Sequence, residues 1–317
     1  MADIAAGSRE RGWDFIVIGD VKSPSGFALE GCRYFDIPSQ TASGLRFAEI
    51  CPTGHYARKN VGYLLAMGAG ARLIIETDDD NFPSDGFWRP RRRKLRVATV
   101  RDGGWVNAYR YFTEARIWPR GLPLDSIDGL APAFDALPVG EVDCPVQQGL
   151  TDVNPDVDAI YRMTLPLPQS FRGDRRVAMA EGTWCPFNSQ NTAWWPEAFP
   201  LMYLPAHCPF RMTDIWRSFV AERIAWTNGW SVLFHEPTVR QERNVHDLMH
   251  DFADEVPGYL NNRRIGEALA DLALEPGGDA IPDNIRRCYQ TLVAMGLVKS
   301  DELDLIEAWF ADLAEIS

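Results

Sequence analysis

The stretch from Tyr56 to Asn81 constrains this chain most. Between Tyr56 and Ala69, Val61, Leu64, Leu65 and Gly68 fall on one face of a helix, and Gly70 follows as a C-cap. Leu73-Ile74-Ile75 then reads as a buried strand that runs straight into Asp78-Asp79-Asp80. Upstream, the apolar run Phe15-Ile16-Val17-Ile18 ends in Gly19-Asp20 and reads as another buried strand. Strand, helix, strand is the parallel α/β unit. Such sheets bind ligands beyond the carboxyl ends of their strands. Asp20 and the Asp78 cluster are therefore expected on one rim.

With 46% apolar and 24% charged residues in 317, the chain can bury a sizeable core. A formal net charge of -12 argues against nucleic acid as a partner, because an acidic surface repels phosphate backbones. No apolar run is long enough to span a bilayer, and Met1 to Phe15 contains no signal-like apolar region. Cys32, Cys51, Cys144, Cys185, Cys208 and Cys288 are scattered without a C-x-x-C pair. That pattern suits reduced thiols in a cytoplasmic protein better than disulfides or a zinc site.

The segment from about Phe82 to Pro168 is rich in Pro and Gly and yields only isolated strands such as Arg96 to Val100. Met212 to Trp226 returns to helical spacing, with Thr213 as N-cap and Asp214 in the first turn, where the helix dipole favours a carboxylate. Trp230 to Phe234 reads as a strand. From about Asn262 the pattern is helical, with stripes Ile285, Cys288, Leu292, Met295 and Leu303, Ile306, Phe310, Leu313. The expected division is 1–260 as an α/β domain and 261–317 as a C-terminal helical appendage that packs on the core or forms a homodimer contact.

Four clusters carry chemistry. Adjacent carboxylates Asp78, Asp79 and Asp80 at a strand end repel each other unless a cation is present, and hard oxygen ligands suit Mg²⁺ or Mn²⁺ held jointly with a diphosphate. A solvated acidic turn is the plain alternative. Arg58-Lys59-Asn60 sits in the first turns of the Tyr56 helix, where cations oppose the dipole and an anionic ligand would offset that cost. Cys185 to Thr192, with Asn188, Gln190 and Asn191, gathers amides and hydroxyls beside Trp184, Trp194 and Trp195, as sugar sites do. Asp214 at a helix start, with Arg217 one turn on, is placed to take a proton from a hydroxyl, or else simply stabilises its helix. His246 is the remaining candidate metal ligand. The basic run from Arg89 to Lys94 reads as a solvated loop.

Taken in order, R-K-N-V-G-Y-L-L-A, E-T-D-D-D-N, D-V-D-A-I-Y-R, P-F-N-S-Q-N-T, T-D-I-W-R-S-F and R-Q-E-R-N-V-H-D resemble the STELLO-type glycosyltransferases, from Phe15 to Tyr259. A weaker similarity extends to the reversibly glycosylated polypeptides, which are UDP-arabinopyranose mutases. The resemblance implies a GT-A-like, Rossmann-type mixed sheet flanked by helices, acting on a nucleotide-sugar donor, with UDP as the favoured nucleotide. It implies Asp78, Asp80 and His246 at a Mn²⁺ or Mg²⁺ ion and Asp214 as catalytic base. Asp20, Lys22, Arg58, Lys59, Asn60, Asp78, Asp79, Asn188, Gln190, Asn191 and Arg217 would contact the donor.

The acceptor is open among glycan, lipid and small molecule. Two other functions stay in play. A mutase or self-glycosylating protein would carry its sugar on Arg162. A non-catalytic scaffold would keep the fold and bind no nucleotide.

Overall fold

The computed structural model describes residues 1–129, 131–242 and 247–316. From the N-terminus the chain forms α1 (Ala2–Arg11), β1 (Ile16–Ile18), β2 (Arg33–Phe35), α2 (Ile37–Thr41), α3 (Arg46–Ile50), α4 (Lys59–Gly68), β3 (Ile74–Thr77), β4 (Asn81–Pro83), β5 (Lys94–Val100) and β6 (Gly104–Trp105). It continues through β7 (Val139–Asp143), β8 (Val146–Asp152), α5 (Ala159–Thr164), β9 (Arg176–Met179), β10 (Thr183–Trp184), β11 (Asn191–Trp194), α6 (Thr213–Thr227), β12 (Val232–Gln241), α7 (Leu248–Ala270), α8 (Ile281–Ala294) and α9 (Glu302–Ile316).

The main sheet runs β3-β11-β8-β12-β9-β5-β7, with β4 paired to the far end of β12. It is mixed: β8 with β12 and β5 with β9 are parallel, and the other pairs are antiparallel. Together with its flanking helices it is an α/β architecture of the GT-A-like kind. At its centre β8, β11 and β12 pack so closely that a Cβ on Gly149 would stand 2.4 Å from Asn191 Nδ2 and 2.9 Å from His235 Cε1.

The helix before β3 is α4, preceded by a tight turn over Tyr56–Arg58, and Gly70 takes φ +79° as its stop signal implied. Two details differ from expectation. β1 pairs in parallel with β2, not with β3, so the strand-helix-strand unit does not close into one sheet. Thr213 is the first helical residue of α6 and its cap, Met212, makes no side-chain hydrogen bond; the Thr213 hydroxyl lies 3.6 Å from Cys208 Sγ.

The segment 82–168, unordered by sequence, supplies β5, β7 and β8, one of which lies at the sheet centre. The basic run is only partly solvated. Arg93 pairs with Asp143 (2.5 Å) and Glu197, and Arg91 donates to the Phe87 carbonyl (2.9 Å).

The C-terminal helices share the main core. Ile285, Cys288, Leu292, Ile306 and Trp309 join one apolar cluster with Leu64, Val146, Phe219 and Phe234. Glu302 of α9 is wholly buried, accepting from the amides of Ala206 (3.0 Å) and His207 (2.6 Å) and from the Tyr203 hydroxyl.

Candidate functional site

A cavity of about 1260 Å³ opens at the carboxyl ends of β1 and β3. It exceeds the roughly 300–1,000 Å³ typical of a drug-sized ligand. Asp20, Lys22, Lys59, Asp78, Asp79, Asp80, Asn188, Gln190 and Asp214 all line it. The carboxyl ends of two strands therefore meet where the α/β rule expects them, and the start of α6 joins them there.

β3 delivers Asp78, whose Oδ1 accepts from Lys59 Nζ (3.2 Å) and from the Tyr56 hydroxyl (3.1 Å). Lys59 also donates to the Ser189 carbonyl (2.9 Å), tying the start of α4 to the loop before β11. Burial, then the nearby carboxylates of Asp80 and Asp214, push the Asp78 carboxyl above the ordinary range against the pull of Lys59. Asp80 accepts from Gln241 Nε2 at 3.0 and 3.1 Å, and the Asp79 side chain is exposed. Asp20 accepts from the amides of Val21 (2.7 Å), Gly54 (2.7 Å) and His55 (2.9 Å), which fixes the loop leading to Tyr56. Lys22 is exposed at the mouth.

Asp214 is 6% exposed and held by an arginine that sequence reasoning missed. Arg120 donates to both Asp214 oxygens (3.0 and 2.9 Å) and both Asp156 oxygens (2.9 and 2.9 Å). Burial works against this guanidinium, but the two carboxylates outweigh it and hold Arg120 charged well above its ordinary range. Asp156 in turn sits below its ordinary range despite burial, because of Arg120. Asp214 Oδ2 also accepts from the Ser189 amide at 3.3 Å. A carboxylate offers about four lone-pair sites, so these three donors leave one for a ligand hydroxyl.

Asn188 and Gln190 face the cavity while bracing it: the Gln190 amide donates to Asn188 Oδ1 (3.0 Å), and Thr151 donates to Gln190 Oε1 (3.1 Å).

Several expected contact residues are committed to the fold instead. Arg58 touches the cavity edge, yet its guanidinium donates to Gln40 Oε1 and the Cys51 carbonyl, 2.8 Å each. Gln40 then donates to the Gly19 carbonyl (2.6 Å), so Arg58 acts on Asp20 through the backbone. Asn60 is fully buried and exchanges hydrogen bonds with the Leu204 backbone (2.8 and 2.9 Å). Asn191 donates to the Leu150 carbonyl (3.1 Å) and Thr238 (2.8 Å) inside the sheet. Arg217 is 1% exposed and pairs with Glu76 (2.9 Å), over the rings of Phe187 and Trp194. Neither Asn60, Asn191 nor Arg217 lines the cavity, nor does Arg162, which donates to Asn154 (2.7 Å) and the Pro155 carbonyl (3.0 Å). His246 lies outside the described residues.

Tyr56, Arg120, Asp156, Arg211 and Gln241 also line the cavity. The only sequence signal for Arg120 is an arginine in an otherwise apolar W-P-R-G-L-P stretch, and nothing local pairs it with Asp156 or Asp214.

As to metal, no group of three or more His, Cys, Asp and Glu side chains is arranged to hold an ion among the described residues. Asp78 and Asp80 remain as two hard oxygen donors on one cavity. Mg²⁺-like ions are commonly bound by one or two carboxylates plus substrate phosphates and water, so the donor set fits an ion that arrives with a diphosphate.

Residues 211–317 match the family of STELLO glycosyltransferases. Across 96% of its length the chain is 27% identical to the probable glycosyltransferase STELLO2 of Arabidopsis thaliana and 26% identical to STELLO1 of the same plant. It spans 42% of the length of each. The whole-chain similarity is thus to the same proteins that the ordered motifs resemble. No helix among the described residues is long and apolar enough to cross a membrane.

Proposed function

We propose that this protein is a metal-dependent glycosyltransferase that takes a nucleotide-sugar, with a UDP-sugar favoured by its resemblance to STELLO proteins. The observation that carries this reading is the convergence of Asp78, Lys59 and the Arg120-held Asp214 on one cavity at the ends of β1 and β3. Asp78 and Asp80 would hold Mn²⁺ or Mg²⁺, which supplies charge neutralisation for a leaving diphosphate. Lys59 and Lys22 add positive charge at that mouth. The acceptor oxygen bonds to the anomeric carbon as the bond to the diphosphate breaks. The hydroxyl proton passes to the open lone pair of Asp214, and the diphosphate carries the bonding electrons away. Arg120 keeps the Asp214 carboxylate fixed in plane, so little reorganisation accompanies the step.

The test is calorimetric titration of UDP and of GDP in Mn²⁺ and in EDTA, on wild type and Asp80→Ala. Binding of one nucleotide that disappears in EDTA and in the variant is the expected outcome. A folded sample that binds neither nucleotide under any condition refutes the transferase reading.

A further inference from the structure

The cavity extends back from the carboxylates between two open strand edges. β1 bonds to β2 through residues 15, 17 and 19, shown by Arg33 N to Phe15 O (2.8 Å) and Gly19 N to Phe35 O (2.9 Å). In a parallel ladder this turns the backbone groups of Ile16 and Ile18 to the opposite edge. On β3 the same alternation applies. Trp195 N bonds to Pro145 O (3.0 Å), so odd residues of β11 serve β8 and its even residues serve Ile74 and Glu76. The backbone groups of Ile75 and Thr77 are thereby left on the outer edge.

Ile16, Ile18, Ile75 and Thr77 all line the cavity and are all half-buried, and among the described residues no hydrogen bond outside the strand ladders reaches their backbone groups. Both strands end against the start of α4: Asp20 binds the amides of Gly54 and His55, and Asp78 binds Tyr56 and Lys59. Gly62 and Tyr63 of α4 pack under Ile18 and Glu76. The strands therefore run parallel, with α4 closing one face of the slot and Ile4 and Ser8 of α1 on its lining.

We infer that this slot receives an extended, apolar polypeptide segment that adds as a strand between β1 and β3, and that the acceptor is a polypeptide. The inference rests on the transferase reading for the word acceptor, but the strand site stands on the edges alone. Water can meet these peptide groups while the cavity is open, but an occupant that fills the slot must replace those hydrogen bonds. An alkyl chain would cover them without bonding them, whereas an extended backbone presents alternating N–H and C=O groups to both edges at once. A strand covered on both faces carries near-continuous Val, Ile or Ala. Running with β1 and β3, it would bring the residue after its apolar core, a Ser or Thr, to the mouth where Asp214 lies.

The test is amide hydrogen exchange of segments 14–19 and 73–78. The probe is a pool of short peptides with a four-residue Val/Ile/Ala core followed by Ser or Thr. Slowing of both segments by roughly tenfold or more on peptide addition is expected. Ile75→Pro deletes an N–H that faces only the slot, so it is expected to weaken peptide protection about tenfold while the fold and nucleotide titration stay as in wild type. No protection by any peptide in the pool overturns the inference. So does exchange in the free protein as slow as in β8, which would mean that the two edges pair with each other. Nucleotide titration on the same sample separates the two readings. Peptide protection without nucleotide binding keeps the strand site and refutes the transferase. Nucleotide binding without peptide protection does the reverse.

Discussion

Asp78 is held in two opposing ways, which makes it a sensitive reporter. Its carboxylate is disfavoured by burial and by Asp80 and Asp214 in the ligand-free protein, yet it lines the cavity in which a cation is proposed to bind. A carboxyl whose folded pKa is raised costs stability as pH rises from the unfolded value through the folded one. Asp78→Asn is therefore expected to leave the ligand-free melting temperature at pH 7 unchanged or higher, while metal-dependent nucleotide binding falls by about a hundredfold or more. A variant that melts lower and binds normally would contradict both halves. Arg120 behaves oppositely. At 5% exposure it neutralises two buried carboxylates, so Arg120→Met is expected to cost about 3–5 kcal/mol in a urea titration, with Arg120→Lys costing less.

At the scale of elements, α6 performs two jobs from one turn. Asp214 looks into the cavity, and Arg217, three residues on, locks to Glu76 of β3. Glu76 also accepts from Trp194 Nε1 (2.8 Å) and from the Tyr63 hydroxyl, so β3, β11, α4 and α6 are joined at one carboxylate two residues before Asp78. Arg217→Met is expected to destabilise by about 3–5 kcal/mol, and the double variant with Glu76→Gln to recover part of that loss, since the uncompensated charge is what costs most. A double variant no more stable than the single one would refute the pairing as the cause. In the sheet centre, burial, then the nearby Arg91 charge, holds His235 neutral below the usual histidine range. Its contribution to stability is present above the unfolded pKa of about 6.5 and is lost as pH falls through the folded value. Thermal melts from pH 7 to pH 4 are expected to fall less steeply for His235→Gln than for wild type.

For the whole molecule, the notable result is continuity. The expected appendage at 261–317 contributes Ile285, Leu292, Ile306 and Trp309 to the same core as the sheet, and Glu302 satisfies backbone amides of the 206–207 loop. A truncation after Ala270 is expected to yield no folded protein, and full-length protein to give one unfolding transition by circular dichroism and by Trp fluorescence. A truncated chain with native-like melting would show an independent appendage. The strand edges belong to this scale as well, because among the described residues β1 and β2 form a small sheet separate from the main one.

Local pattern alone determined β1, α4, β3 and α6, and with them the placing of Asp20 and Asp78 on one rim, whereas Asp214 was brought there by the resemblance and the tertiary structure. Periodicity and chain direction fix which residue ends each strand or begins each helix, and the α/β rule puts those ends on one rim. The same pattern could not order 82–168, because β5, β7 and β8 pair with partners far along the chain, and β8 is buried between β11 and β12. Nor could it separate Lys59, which reaches Asp78, from its neighbours Arg58 and Asn60, which turn inward to Gln40 and Leu204. Helical spacing sets where a side chain starts, but its partner is set by what packs opposite. Arg120 shows this most plainly: its two carboxylates lie 36 and 94 residues away, and only the folded chain brings charges so distant in sequence within hydrogen-bonding reach.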